Sequence, residues 1–402
     1  VTDRVHAHLH ANPLPDFDRL DLAELRRRHG KKWRSFDRDV IAAWIADMDF
    51  PPPETVTAAL ERVIHDADFG YPDQIARTAA IEAFCAHMAQ RHGWTVEPGS
   101  VELLTDVMQG AYVALDRFSA PGDGVATLTP IYPPFLECVR DTRRRGVCVT
   151  LLPDPKPGTG RFEIDFERLR DQASGNVRIL LLSSPHNPTG RVFTRDELES
   201  LADIACRNDL FVISDEIHAD LLYDGRQHIP FASLAPEVAA RTLTLNSASK
   251  SFNIAGLRLA VAVFGSAGMR HAFLEAAPHG LRGGPNTMGL AAATAAWREG
   301  GPWLDALRTH LQGNRDRLGA FLARHIPAIR CLPAEGTYLA WLDCRGLGLE
   351  PSPWRHFLEH GRIALSDGAD FGDGGDGHVR LNFATSRPIL EQILERMRTC
   401  LS

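Results

Sequence analysis

Lys250 lies in Ser247-Ala248-Ser249-Lys250-Ser251-Phe252-Asn253 and is one of four lysines in a chain whose positive charge is otherwise carried by arginine. Arginine stays protonated, whereas a lysine can lose its proton, attack a carbonyl carbon and form a Schiff base. Small hydroxyl residues behind an apolar run also suit the holding of a phosphate. By itself the segment reads first as a solvated lysine beside a serine turn, so the residues upstream decide. Asp215 ends an apolar run, where a carboxylate needs a cation or a protonated heterocycle to offset its burial. Asn187 sits in the turn-forming stretch Asn187-Pro188-Thr189-Gly190, His218 follows Asp215 closely, and Arg258 follows Lys250. Together these types fit one ligand: a pyridine ring with an acid near its nitrogen, a donor to its phenolic oxygen, a cationic cup for its phosphate and a lysine at its aldehyde.

The elements that must position these residues are legible in outline. Apolar residues at helical spacing predict helices over about 54–66 and 74–92, after Pro51-Pro52-Pro53 has ended the irregular first 50 residues. The runs 125–128, 177–182, 210–213, 242–245 and 257–264 read as strands. Thr194-Arg195-Asp196-Glu197 is a capping-box pattern, followed by Leu198, Leu201, Ile204 and Ala205 on one helical face. Strand, capped helix, strand is a βαβ unit, and its wholly apolar strands imply a parallel sheet covered on both faces. A long helical stretch is expected over about 286–325, then a smaller α+β region. The polar clusters at 183–187, 214–218 and 246–250 all follow strands, the end of an open α/β sheet where ligands bind.

Composition narrows the function classes. The chain has 402 residues, 44% hydrophobic and 24% charged, enough for one large domain with a smaller companion. The net charge is −7 and no basic run is interleaved with aromatics, which argues against a nucleic-acid partner. Seven scattered cysteines, never in Cys-x-x-Cys spacing, argue for a reducing compartment without disulfides or a zinc site. No membrane span or signal pattern is read, so a cytoplasmic protein is expected. The Gly/Asp-rich stretch 366–378 lacks the spacing of a calcium loop and reads as a mobile loop near the mouth of a site; no metal is expected.

Three motifs, Ser-Pro-His-Asn-Pro-Thr-Gly at 184–190, Ser-Asp-Glu-Ile-His at 214–218 and Ser-Ala-Ser-Lys-Ser-Phe-Asn-Ile-Ala-Gly-Leu-Arg at 247–258, resemble the fold-type I, class I/II aminotransferase family of pyridoxal phosphate enzymes. Trp-Ile-Ala-Asp-Met-Asp-Phe at 44–50, Phe69-Gly70-Tyr71 and Thr-Pro-Ile-Tyr-Pro-Pro-Phe at 129–135 are similar to its MalY/PatB-like cystathionine β-lyase (C–S lyase) branch. Glu335–Trp341 and Val379–Phe383 extend the match, which covers the chain from about residue 16. The histidine of Asp-Glu-Ile-His favours the lyase branch, since ordinary aminotransferases usually have Tyr there.

The resemblance implies an α/β fold with a mostly parallel seven-stranded sheet in a large domain, plus a smaller α+β domain built from the N- and C-terminal segments. The boundaries it suggests are 1–50 for the arm, 51–290 for the cofactor domain and 291–402 for the connecting helix and small domain. It implies pyridoxal 5'-phosphate as cofactor and an L-cysteine thioether as substrate, cleaved at Cβ–S to thiol, pyruvate and ammonia. Lys250 would bind the cofactor aldehyde and move the Cα proton, and Asp215 would keep the pyridine nitrogen protonated. Asn187 and His218 would contact the 3-oxygen side and Tyr132 would stack on the ring. Ser247, Ser249, Arg258 and the helix start at Met108 and Gln109 would hold the phosphate. In a homodimer, Tyr71 would reach the neighbouring subunit's phosphate. Arg380 would clamp the substrate carboxylate, with Ala46, Asn187 and Tyr338 beside it. One departure is Asp106-Val107-Met108-Gln109-Gly110, where the lyase branch tends to have a Gly-Val-Val-Pro-like turn; it leaves room for a specialised cysteine S-conjugate. The rival readings are transamination, a decarboxylating oxidative deamination, and a regulator that only binds. The last is disfavoured by the intact site residues and by the lack of a helix-turn-helix pattern before Trp44.

Overall fold

The structure is a computed structural model describing residues 15–153, 160–278 and 282–402, so the first 14 residues of the expected arm lie outside the described residues. Seven strands form the main sheet: β1 Val101–Leu104, β2 Gly124–Thr129, β3 Arg145–Thr150, β4 Val177–Ser183, β5 Phe211–Asp215, β6 Thr242–Asn246 and β7 Ala260–Phe264. Their order is β1-β7-β6-β5-β4-β2-β3. The run from β3 to β6 is parallel throughout, and β7 is antiparallel to both its neighbours.

The apolar strands are explained by cover on both faces. In β4, Ile179 and Leu181 pack with Leu104, Ala111 and Leu115 on one side. Leu180 and Leu182 pack with Leu198, Leu201 and Ile204 on the other. Successive side chains of a strand point oppositely, so a strand buried on both faces has no polar position to spare. Each such leucine contributes about 1.5–3 kcal/mol of burial. The helix Arg195–Arg207 that covers the second face starts with the expected capping box. The Thr194 hydroxyl accepts the Glu197 N–H at 3.3 Å, and Glu197 Oε2 accepts the Thr194 N–H at 2.7 Å.

A second sheet is built from β8 Arg330–Cys331, β9 Leu339–Asp343, β10 Ser366–Asp367 and β11 His378–Asn382, ordered β8-β9-β11-β10 and antiparallel. Ile41–Ala42 runs parallel to Ile363–Ala364, so the early and late parts of the chain are paired directly. Helices Glu54–His65 and Gln74–His92 match the spacing-based expectation closely.

Three expectations are corrected. The stretch 286–325 is two helices, Thr287–Glu299 and Gly301–His325. Pro302 has no N–H to continue the first helix and instead opens the second, while a Cβ on Gly300 would come within 2.6 Å of Phe252. The strand expected from 257 starts at Ala260, because Arg258 takes a left-handed conformation (φ 53°) that interrupts extended backbone. The Gly/Asp-rich stretch 366–378 is a packed hairpin rather than a free loop. It holds β10 and the buried Phe371, and its Gly368 and Gly375 approach too closely for any side chain.

Candidate active site

The polar clusters do converge at the carboxyl ends of the strands. Asp215 is the last residue of β5 and pairs in register with Ser183 of β4; Asn246 ends β6. Lys250 follows in a single helical turn, Ala248–Ser251, capped by the Ser247 hydroxyl. Across the cleft, β11 presents Arg380 opposite Trp341 on one side and Ser366 on the other.

Burial sets the electrostatics of this cleft. Asp215 is 5% exposed, and its Oδ1 accepts only the Ile217 N–H, at 3.2 Å. Among the described residues no cationic side chain is within ion-pair distance of it. Burial pushes its carboxyl up to about 7; the Ile217 hydrogen bond lowers it, Glu216 raises it and Lys250 lowers it further. His218 is buried with Nδ1 unpartnered, and its ring meets Tyr338 edge-on at 5.8 Å. Burial, then Lys250 and Arg380, push the imidazole down to about 3, so it is neutral.

Lys250 is half-buried. Its Nζ donates to the Ala46 carbonyl at 2.8 Å, and the Tyr338 hydroxyl donates to the same oxygen at 2.8 Å. Burial lowers the lysine below its usual range, which leaves more of it as the free amine that can attack carbon. Arg380 is 4% exposed. It donates to Asn187 Oδ1 at 2.9 Å, the Trp44 carbonyl at 3.1 Å and Ser366 Oγ at 3.2 Å, and lies over the Phe371 ring. Its Nε is buried and unpartnered, no carboxylate pairs with it among the described residues, and burial lowers it to about 10. A buried guanidinium without an anion is a place for a carboxylate ligand.

At the other end of the cleft, helix Val107–Phe118 begins beside Arg258, whose guanidinium reaches Asp106 at 2.5 Å. Asp106 caps the Gln109 N–H at 2.8 Å, leaving the Val107 and Met108 amides at a helix start that favours an anion. The Gln109 side chain braces backbone instead, accepting the Thr105 N–H and donating to the Arg282 carbonyl. Met108 packs against the core below the sheet. Ser247 Oγ donates to the Leu259 carbonyl at 2.6 Å and accepts the Ser249 N–H, so its hydroxyl is committed to the turn. Ser249 beside it is half-exposed. Tyr132 is half-buried at the start of the following helix, edge-on to Phe135. Tyr71 is not brought into the cleft by this chain: it is fully exposed, and Ile64, Phe69 and Ile75 in the same stretch of sequence are exposed too.

The residues therefore fit pyridoxal 5'-phosphate. The Asp215 carboxyl would suit a pyridine nitrogen, Asn187 and His218, whose Nδ1 is unpartnered, would suit the ring's oxygen edge, Lys250 would suit the aldehyde, and the helix start with Arg258 would suit the phosphate.

Sequence reasoning missed the residues that fix segment 44–50. Asn253 Oδ1 accepts the Met48 N–H at 3.1 Å while Nδ2 donates to the Met48 and Phe50 carbonyls at 3.1 and 2.6 Å. Asn382 Nδ2 donates to the carbonyls of Ile45 and Asp47 at 2.7 and 2.6 Å. A buried pair, Lys32 with Asp49 at 2.9 Å, anchors the same segment, and Trp33 Nε1 donates to Asp49. The signal available was that Asn253 and Asn382 lie inside the motifs carrying Lys250 and Arg380.

The profile of the family described as aminotransferase class I and II matches residues 45–397. Cystathionine β-lyase PatB of Bacillus subtilis (strain 168) is 36% identical, covering 90% of this chain and 93% of its own. The crystal structure of OvoB superimposes with a TM-score of 0.89 at 37% identity, over 97% of this chain and 99% of that one. The crystal structure of the pyridoxal phosphate-bound C–S lyase from Staphylococcus hominis does so with a TM-score of 0.89 at 28% identity, over 96% and 99%.

Proposed function

The chain belongs to the aminotransferase class I and II family, and from that premise we propose that it is a pyridoxal phosphate-dependent C–S β-lyase. It would cleave the Cβ–S bond of an L-cysteine thioether to a thiol, pyruvate and ammonia. The observation that carries the reading is the unpaired Arg380 guanidinium facing the same cleft as Lys250 and the unpaired Asp215 carboxyl. When bound, the cofactor supplies an aldehyde for the substrate amine and a protonated ring that accepts the electron pair left at Cα.

The side chains do the rest. Asp215 holds the ring nitrogen in its charged form, and Asn187 and His218 orient the ring's oxygen edge. Ser249, Arg258 and the Val107 and Met108 amides hold the phosphate. Arg380 binds the substrate carboxylate with two parallel hydrogen bonds, fixing Cα within reach of Lys250. Lys250 Nζ takes the Cα proton, a task suited to an amine whose affinity for protons burial has lowered. The electron pair would then form the Cα=Cβ bond and expel sulfur from Cβ as thiolate, which takes up a proton; the released 2-aminoacrylate reacts with water to give pyruvate and ammonia. Segment 44–50 closes the cleft above the lysine, with the Ala46 carbonyl setting the amine's direction before substrate arrives.

The same reading takes the working unit as a homodimer in which Tyr71 reaches the partner's phosphate. In support, Ile64, Phe69, Tyr71 and Ile75 are all exposed large apolar residues within one short stretch of the sequence. Its place is taken to be the cytoplasm; the free cysteines, several with thiols pushed up by burial, fit a reducing compartment. No helix of the described residues is long and apolar enough to cross a membrane. The domain boundaries near residues 50 and 290 belong to the proposal as well.

The test is to incubate the purified holoenzyme with S-alkyl-L-cysteines and cystathionine and follow thiol, pyruvate and ammonia together. Equal release of all three without an added amino acceptor is expected. Lys250→Ala should abolish both the turnover and the visible absorption of the bound cofactor. Keto acid that forms only with an amino acceptor, and without thiol, would assign the chain to transamination.

A further inference from the structure

Behind the cleft, on the far side of the segment that carries Asp215 and His218, three ligand-type side chains converge. His87 Nε2 and His92 Nε2 both lie against one oxygen, Asp220 Oδ1, at 2.9 and 3.0 Å. Their side chains are only 5%, 5% and 8% exposed, and the three ligand atoms fall within 4.8 Å of one another. The histidines come from helix Gln74–His92, and Asp220 comes from the loop after β5.

We propose that His87, His92 and Asp220 form a divalent metal site of the zinc class, separate from the cofactor cleft and independent of the reaction performed there. Two imidazole nitrogens and one carboxylate oxygen are a borderline-soft donor set matching Zn²⁺, and three protein ligands leave a fourth position open. That position has room, because a cavity of about 250 Å³ lined by His92, Asp220, Gln227 and His228 adjoins the cluster. The arginines that also border the cavity are engaged elsewhere: Arg91 pairs with Asp305, Arg226 with Glu335, and Arg308 donates to the Leu222 carbonyl.

The position gives the site a consequence. Asp220 is two residues beyond His218, and the His87 ring meets Phe252, two residues beyond Lys250, edge-on at 6.3 Å. A bound ion would tie helix Gln74–His92 to the two segments that carry cofactor ligands. It would therefore raise thermal stability without entering the chemistry.

The test uses holoenzyme, stripped of adventitious metal with a chelator and kept free of amino acids, with Zn²⁺ and Co²⁺ as probes. Retention of about one Zn²⁺ per chain, visible absorption bands from bound Co²⁺ and a higher melting midpoint with Zn²⁺ are expected. Removing an outer-shell partner typically weakens a metal site by about 10–100-fold, so loss of a ligand in His92→Gln or His87→Gln should weaken Zn²⁺ by at least roughly 100-fold. Asp220→Asn keeps a hydrogen-bond acceptor for the histidines and serves if the histidine variants do not fold; it too should lose the ion. Wild type that retains no Zn²⁺, or variants that hold it as tightly as wild type, would overturn the proposal and leave the cluster as a hydrogen-bonded brace.

Discussion

Arg380→Gln is the substitution whose consequence can be worked furthest. The guanidinium is buried without a carboxylate partner among the described residues, and its fall to about 10 corresponds to about 3 kcal/mol of unrelieved burial of charge. A substrate carboxylate relieves that cost and adds two charge-assisted hydrogen bonds, each worth about 1.5–3 kcal/mol. Gln keeps a donor for Asn187 and removes the charge, so at least the 3 kcal/mol of complementarity should vanish. The expected result is a fall in kcat/KM of about 10²–10⁴, with much of it in KM because the clamp acts before and during the chemistry. The assay measures thiol release from an S-alkyl-L-cysteine and from its carboxamide, in both proteins. Wild type should discriminate against the carboxamide by roughly 100-fold and Arg380→Gln only weakly, since the charge that reads the carboxylate is gone. Equal discrimination in the two proteins, or a change in kcat/KM below roughly threefold, would refute the assignment of Arg380 to the carboxylate.

Three further outcomes follow from other parts of the structure. With cofactor removed, Asp215 holds its proton up to about 7, whereas the unfolded chain releases it from 3.8 upward; the favourable contribution is complete below 3.8 and gone once pH passes about 7. Between pH 5 and 7 the cofactor-free wild type should therefore lose about 3 kcal/mol relative to Asp215→Asn in denaturant unfolding, and a parallel pH dependence of the two proteins would contradict this. Asn253→Ala removes three hydrogen bonds to segment 44–50 and places Ala at φ 55°. It should cost about 2–4 kcal/mol and raise KM, measured by unfolding and steady-state kinetics. Thr194→Ala breaks the capping box, touches none of the proposed site residues and should cost about 1 kcal/mol with kcat/KM unchanged.

What could be read from the sequence was whatever leaves a mark in side-chain type. The helices at 54–65 and 74–92, the cap at Thr194 and the strand ends carrying Asn187, Asp215 and Lys250 all follow from apolar period and turn chemistry. Strand direction leaves no such mark, because β7 is as apolar as its parallel neighbours although it runs antiparallel. The break at Gly300-Gly301-Pro302 was legible in principle, since proline opens a helix far more readily than it continues one. Backbone partners are illegible in a different way. The Ala46 carbonyl, which receives both Lys250 and Tyr338, is fixed by asparagines distant in sequence. Gln109 looked like a pocket residue by position, yet its amide group spans two stretches of backbone.

The cleft as a whole explains why its residues are so poorly satisfied individually. Burial drives Asp215 toward its acid, Lys250 toward its amine and His218 toward neutral imidazole, and lowers Arg380 to about 10 while leaving it charged. Asp215 and Arg380 could have formed an ion pair, yet they are not paired, and Arg380 spends its hydrogen bonds on Asn187, Trp44 and Ser366. Had they formed an ion pair, the cleft would be more stable when empty and less able to bind. Keeping them apart leaves one site for a cation and another for an anion, with an amine between. A ring nitrogen and an amino-acid carboxylate meet those demands together, which an isolated ion cannot. The instability of the empty cleft is thus the source of its selectivity, and stabilising it with a salt bridge to Arg380 should weaken substrate binding in proportion.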